Sequence, residues 1–410
     1  MGAADAGIEN VFRQAYGQAV ATLVRVFGDI TLAEDAVQDA FVVAGDRWHR
    51  DGVPPNPAGW IITTARNRAI DIRRRETRGR ELHEQSAPVA RSYDDSPDEH
   101  ETEDQTVQDD QLRLMFTCCH PALRMEHRVA LTLRLLGGLS VPELARSFLV
   151  SETAMTKRLV RAKYKIKAAG IPYRVPDSAV LPDRLGSVLT VIYLIYNTGN
   201  DDPERSSLRT DALRLGRSLV ELMPTEPEAA GLLALMLLNE ARADTRSENG
   251  ELVLLRDQDR ANWDREMIDE GQAIVRTCIQ NDRPGPFQLQ AAIQAVHTDA
   301  ASFEETDWQQ VVTIYGHLYS MMPTPVVGLN RAIAVAESKG PEAGLAALDL
   351  VAPALEDYHL LHAARGAVLQ RLGRAEEARL SYERAAMLAT TERVRRFLSD
   401  QIDELSKRAN

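Results

Sequence analysis

Three clusters of side chains in this sequence could do chemistry. The first lies in Thr31 to Trp48 (TLAEDAVQDAFVVAGDRW), where Glu34, Asp35, Gln38 and Asp39 recur at helical spacing beside an apolar face. Such carboxylates can act as an acid/base pair, hold a metal or stay solvated, and a bare patch with no partner beside it favours solvation. The second is Asn56 to Arg75 (NPAGWIITTARNRAIDIRRR), in which Arg66, Arg68, Arg73, Arg74 and Arg75 are interleaved with Asn56, Trp60, Thr63, Thr64 and Asn67. Cations mixed with an aromatic ring and amides suit phosphate and unstacked bases. The third is Leu139 to Lys167, where Ser151 can cap a helix whose first turn holds Glu152, Thr153 and Thr156 and whose later turns carry Lys157, Arg158, Arg161 and Lys165. A short helix from Val141 to Phe148, capped by Ser140 with Pro142 in its first turn, precedes it across Phe148-Leu149-Val150. That is the pattern of a helix-turn-helix whose second helix enters the major groove; a basic, solvated helix in a plain helical hairpin is the alternative.

All three clusters need helices to hold them, and the sequence predicts an all-α chain. Residues 8–77 read as helical, with Leu32, Ala36, Ala40, Phe41 and Ala44 at three- and four-residue steps, and the prolines of Asp51 to Gly59 interrupt the pattern. Residues 78–107 are polar and acidic and read as a flexible linker; helical periodicity returns over 108–170 and continues through most of 171–410. Near the end, Gly366, Ala378, Tyr382 and Ala385 occupy positions of a tetratricopeptide repeat around Gly373. A weaker copy falls 34 residues earlier at Ala332, Gly344, Leu348 and Val351. An Ala-rich helix hairpin without repeat architecture is the plainer reading.

A formal charge of −12 over 410 residues argues against a broadly basic nucleic-acid binder. The charge is unevenly placed, however: −1 over 1–77, −6 over 78–107, +6 over 108–170 and −11 over 171–410. A local cationic surface is what phosphate contact requires, so the +6 segment qualifies. The longest apolar run, Ala229 to Leu238, is half the length of a membrane span, no signal core opens the chain, and three cysteines make no disulfide framework. These features predict a cytoplasmic protein without a membrane partner. Cys118, Cys119, His120 and His127 invite a zinc reading, but adjacent cysteines are a poor tetrahedral start and no CxxC or HxxxH completes the set; no cofactor is expected. Asp257-Gln258-Asp259, Trp263-Asp264 and Asp307-Trp308 read as caps and packing rather than a ligand groove. No phosphate loop, dinucleotide fingerprint or nucleophile elbow supports an enzyme.

AEDAVQDAF, then NPAGWIITTARNRAIDIRRR, an acidic linker and the helix-turn-helix pattern together resemble bacterial RNA polymerase sigma factors of the extracytoplasmic-function class. TCCHPAL, VIYLIYNTG, GLLALMLLNEAR, VLLRDQDRANWD, QLQAAIQAVH, TDWQQVVTIY and PVVGLNRAIAVA resemble the subgroup with a long tetratricopeptide-like extension. The resemblance implies a region 2 domain over 8–77, a linker over 78–107, a region 4 domain over 108–170 and a regulatory domain over 171–410. It implies that Asp35, Gln38 and Asp39 dock on the β′ clamp helices of core RNA polymerase. The loop Asp51 to Pro57 would receive a flipped base of the minus-ten element, and Trp60 to Arg75 would follow the opened strand. The helix from Ser151 to Lys165 would read the minus-thirty-five element of promoter DNA, while Asp109 to Leu136 would touch the β flap. The extension would regulate the factor in cis, alone or with an unknown regulator. The sequence departs from the family at Leu149, at Thr153-Ala154-Met155 and at Tyr196-Asn197-Thr198-Gly199-Asn200, where Gly, Gly-Thr-Val and Phe-Asn-Glu-Gly-Tyr are common. A helical scaffold or ligand-sensing DNA-binding repressor is the rival class; it would bind a palindrome tightly without polymerase.

Overall fold

The computed structural model describes residues 3–81, 103–148, 150–200, 206–248, 251–389 and 391–409. Within them the chain is all-α, with a two-residue hairpin, β1 (Ser247–Glu248) and β2 (Glu251–Leu252), as the one strand pair among the described residues. It divides into two compact units, Met1–Leu222 and Met223–Asn410.

The first unit begins with α1 (Ala3–Phe27), α2 (Ile30–Asp51) and α3 (Pro57–Glu81). Gly28, with φ of 68°, turns the chain out of α1, and Asp29 caps α2 by accepting from the backbone N–H groups of Thr31 and Leu32 at 2.8 and 3.2 Å. Ala33, Ala36, Val37, Ala40 and Ala44 of α2 are buried, and these small side chains let α2 lie close to Tyr16, Ala19, Val20 and Leu23 of α1 and Ile61, Ala65 and Ala69 of α3. Of the apolar positions read from the sequence, Leu32 and Phe41 are half-buried at the edge of this seam. The proline stretch breaks the helices as expected: α2 stops at Asp51, Gly52 turns with φ of 82°, and Pro57 starts α3 in the position where its missing N–H costs nothing.

Both ends of the linker expected at 78–107 are helical, and the rest of it is not described. Residues 78–81 extend α3 and 103–107 already belong to α4 (Glu103–Cys118), because an acidic helix start is favoured by the helix dipole; 82–102 lie outside the described residues. Then follow α5 (Met125–Leu135), α6 (Val141–Ser147) and α7 (Glu152–Ala168). Ser140 and Glu143 form a reciprocal capping box at α6, and Ser151 caps α7 by accepting from Ala154 N at 3.2 Å. Of the turn between these helices, Leu149 lies outside the described residues. Two further helices, α8 (Leu181–Asn200) and α9 (Ser207–Leu222), complete the unit. The sequence starts the C-terminal domain at 171, but the packing divides the chain only after Leu222, since α8 and α9 lie against α4 and α5.

The second unit runs through α10 (Pro227–Glu240), α11 (Arg265–Gln280), α12 (Pro286–Asp299), α13 (Trp308–Met321), α14 (Pro325–Lys339), α15 (Pro341–Val351), α16 (His359–Arg371), α17 (Ala375–Leu388) and α18 (Glu392–Ala409), each packing on the next. The 34-residue step is physical: α14 and α16 start at 325 and 359, α15 and α17 at 341 and 375. Gly366 faces the ring of Tyr382, and Gly344 faces Ala336, so the helices of each hairpin meet through a missing side chain. A Cβ at Gly366 would lie 2.8 Å from a Tyr382 ring carbon. Gly366→Val is therefore expected to destabilise this unit by about 1–3 kcal/mol, read as a lower unfolding midpoint in denaturant, whereas Arg384→Ala on the exposed face of the same hairpin leaves it within about 0.5 kcal/mol.

Candidate nucleic-acid interface

The acidic cluster of α2 separates into an inward and an outward part. Asp35 and Asp39 are exposed and Gln38 is half-buried, but Glu34 is 4% exposed. Its two carboxylate oxygens accept from Arg134 Nε of α5 at 2.5 Å and from Lys163 Nζ of α7 at 2.6 Å, while Gln38 Nε2 donates to Oε1 at 3.1 Å. Burial alone would raise the Glu34 carboxyl, yet Lys163 and Arg134 hold it below its ordinary value. Asp35 moves the other way: partial burial raises it, with Glu34 and Asp39 adding to the rise against the pull of Lys163. Sequence spacing placed the four residues in one patch; it could not assign Glu34 partners from two distant helices.

On α3 the polar residues share one solvent face. Thr63, Arg66, Asn67, Arg68, Arg74 and Arg75 are exposed, Thr64 and Trp60 are half-buried, and the pairs 67/74 and 68/75 stack two turns apart. Two members have local work. Asn56 accepts from Gly59 N at 2.9 Å and so starts the helix; Arg73 donates to Phe27 O at 2.9 Å and lies over the Phe27 ring, tying α3 to the end of α1. Trp60 meets the buried Trp48 edge-on at 5.5 Å. The result is a rigid ridge of donors with an aromatic ring at its start, beside the Gly52 to Asn56 turn.

The third cluster lines a cleft of about 850 Å³ between α7 and the start of α5. Lys157, Arg158, Arg161 and Lys165 of α7 face Arg124 and His127 across it, with Glu126 as the anionic member. His127 is held below its usual value by burial and by Arg124, Arg158 and Arg161, against the opposing pull of Glu126. Met155, Leu159, Ala162 and Ile166 turn inward, so α7 is basic on one side and apolar on the other. Glu152, Thr153 and Thr156 are exposed at its start, with the Thr156 hydroxyl donating to Glu152 O at 2.8 Å. Sequence reasoning missed Arg124 and Tyr164; the latter is 71% exposed within the basic stretch, an aromatic signal readable in Lys163-Tyr164-Lys165.

Cys118 and Cys119 are buried, Cys119 Sγ lies 3.5 Å from Thr132 Oγ1, and burial pushes the Cys119 thiol up to about 11. Among the described residues no group of three His, Cys, Asp or Glu side chains is placed to hold a metal ion, and no helix is long and apolar enough to cross a membrane. Asp259, Asp264 and Asp307 each cap a helix start, at Ala261 N, Met267 N and Gln310 N.

Residues 11–79, which run from within α1 through α2 to within α3, match the sigma-70 region 2 family, and residues 184–279 match a family of unknown function, DUF6596. The region 2 match supports a sigma-factor-like role in transcription initiation and implies core RNA polymerase and promoter DNA as partners. The solved structure of yeast Tom70 superposes with a TM-score of 0.38 at 9% identity, over 95% of this chain and 84% of its own. A curated relative is 44% identical over 400 residues, spanning 95% of this chain and 93% of its own. The chain therefore belongs to one family with Uncharacterized protein R00370 of Rhizobium meliloti (strain 1021).

Proposed function

We propose that the chain is a sigma factor of the extracytoplasmic-function class that binds core RNA polymerase and directs initiation at a two-part promoter. The observation that carries this reading is the region 2 match over 11–79 on a bundle that presents separate acidic and cationic surfaces to solvent. In this reading Asp35, Gln38 and Asp39 of α2 dock on the β′ clamp helices. The α3 ridge from Trp60 to Arg75, with Asn56 fixing its start, follows the opened minus-ten strand. Residues 108–170 form the region 4 domain: α6 and α7 are its helix-turn-helix, the cleft cations grip phosphate, and Glu152, Thr153 and Thr156 approach base edges. The 109–136 segment faces the β flap. Each DNA contact alone is weak, and polymerase joins them at high effective concentration.

The region from 171 onward acts on the sigma domains in cis. Support for this comes from α8 and α9, which lie within the first unit: Arg184 donates to Phe116 O at 2.7 Å and Arg214 to Gly137 O at 3.0 Å. Both bonds hold backbone carbonyls of the 108–170 segment, so its helices are braced from outside it.

Association with purified core RNA polymerase is the direct test. The wild-type chain binds saturably, and Asp35→Arg/Asp39→Arg weakens binding about tenfold or more without altering the unfolding midpoint, because both side chains are exposed. Wild-type protein that fails to bind active core at low salt, or that binds a palindromic site tightly alone, overturns the reading in favour of a repressor. A second measurement separates the DNA surface from the docking surface: Lys157→Ala/Arg161→Ala keeps core affinity but lowers the slope of log promoter affinity against log salt by about two.

A further inference from the structure

In a stack of helix hairpins each helix packs on its neighbours, and stretches far apart in the chain have no reason to touch. The second unit departs from this at one segment. Residues 251–264 (ELVLLRDQDRANWD) run from β2 to the start of α11 and reach α12, α14 and the turn between α12 and α13. Arg260 Nη1 donates to His297 O in the last turn of α12 at 2.6 Å and to Ala300 O just past it at 2.5 Å, and its Nη2 lies 3.5 Å from Thr306 Oγ1. Arg256 Nη2 reaches Glu337 Oε1 in the last turn of α14 at 3.5 Å, and its guanidinium lies over the Phe303 ring, 5.1 Å from the centroid. Glu337 also accepts at 2.7 Å from Arg371, its counterpart 34 residues on in α16. Carbonyls in a last helical turn lack intrahelical partners and form the negative end of the helix dipole, so guanidinium groups suit them.

The segment lies on these helices and is not woven among them. Its backbone bonds close locally: Val253 N donates to Arg246 O at 3.0 Å, Asp257 N to Leu254 O at 2.9 Å, and Asn262 N and Trp263 N to Asp259 O and Arg260 O at 3.2 Å. Leu254, Asp257, Asp259, Ala261 and Asn262 are exposed, and the Arg256 side chain is 44% exposed. Both ends are anchored. Buried Trp263 donates from Nε1 to Thr245 Oγ1 at 3.0 Å at one end, and the β1–β2 pairing holds the other. Between the anchors, the bonds to α12 and α14 run through two arginine side chains. Partly exposed pairs of this kind are weak singly, so the segment can lift away without unfolding the helices beneath it.

We propose that the ends of α12 and α14 form a binding site for an arginine-bearing peptide segment, that residues 253–262 fill it in cis, and that a partner protein takes the site by offering two guanidinium groups in their place. One slot pairs the Glu337 carboxylate with the face of the Phe303 ring, a combination that attracts a planar cation twice over. The other offers two carbonyl oxygens and a hydroxyl, which a guanidinium fork can reach together. An acidic peptide meets the Glu337 charge and the negative helix ends, so the chemistry selects cations. A ligand tethered beside its own site acts at millimolar effective concentration, so a free segment with the same contacts binds the intact chain weakly until the tethered one is weakened. The assignment concerns the second unit and stands apart from the sigma-factor reading.

The test is fluorescence anisotropy of a labelled peptide with the sequence of residues 251–264, titrated with the full-length chain. Arg256→Ala/Arg260→Ala, which empties both slots, binds the peptide saturably and about tenfold or more tightly than the wild-type chain does. A peptide carrying the same two substitutions loses that binding, and Glu337→Gln added to the double variant weakens it, which locates the peptide at α14. The unfolding midpoint checks that each variant folds. Arg256→Ala alone, at a side chain 44% exposed, gives the same ordering with a smaller gap if the double variant does not fold. Equal affinity for wild type and variants overturns the proposal, as does no binding to any of them, or a substituted peptide that binds as well as the parent.

Discussion

A carboxylate removed from water has to be neutralised or paired, and the first unit is organised around one that is paired twice. Glu34 lies on α2, and its partners come from 100 and 129 positions later in the chain. Arg134 completes a circuit. Its Nη1 donates to Leu139 O at 2.6 Å, immediately before the Ser140 cap that starts α6; α6 leads into α7, and α7 returns Lys163 to Glu34. Every link fixes the next, so α2, α5, α6 and α7 have one mutual arrangement while the triad is intact. Charge-assisted hydrogen bonds contribute about 1.5–3 kcal/mol each, against several kcal/mol per ion for leaving water. The two effects are of similar size, so the triad decides which surfaces meet more than how stable their meeting is.

The same constraint explains why one helix can carry two kinds of cation. On α7, Met155, Leu159, Ala162 and Ile166 fill the core at steps of four, three and four, and the opposite side holds Lys157, Arg161 and Lys165 in solvent. Lys163 follows buried Ala162 and lies at the border of the two faces, 16% exposed in its side chain. A long aliphatic stem lets it lie along the apolar seam while its ammonium reaches Glu34. Moving that charge one residue either way would place it in the core at Ala162 or in solvent at Tyr164. The basic face thus stays in solvent because a single border residue takes the inward role.

Local chemistry made the helices legible in advance. Ser140 with Glu143, Ser151 and the proline stretch after Asp51 mark helix ends through bonds that span only a few residues, and the sequence displays both partners side by side. Apolar spacing found the buried side of α2 for the same reason. The exposed donors of α3 and α7 were also legible, since a polar residue opposite an apolar stripe has solvent as its default. What sequence spacing could not supply was pairing at a distance. Glu34 looked like Asp35 and Asp39, because the difference between them is made by Arg134 and Lys163. Arg124 was overlooked because it enters the cleft from a turn before α5, with no helical periodicity to announce it.

The end of α5 shows why the chain divides where it does. A helix leaves its last carbonyls without intrahelical partners, and near Leu136 to Gly138 the chain turns sharply, with Gly138 at φ of 75°. Arg214 of α9 supplies part of the missing donation at Leu136 O, at 3.4 Å, and donates to Gly137 O just beyond the helix, while Arg184 of α8 reaches Phe116 O in the last turn of α4. Cations at helix C-termini also complement the dipole. Val188, Val191, Ile192, Ile195 and Tyr196 of α8 are buried in the same unit. A boundary at residue 170 would therefore expose an apolar helix face and strip donors from two helix ends. The boundary after Leu222 does neither within this unit, so α8 and α9 are structural parts of the first unit.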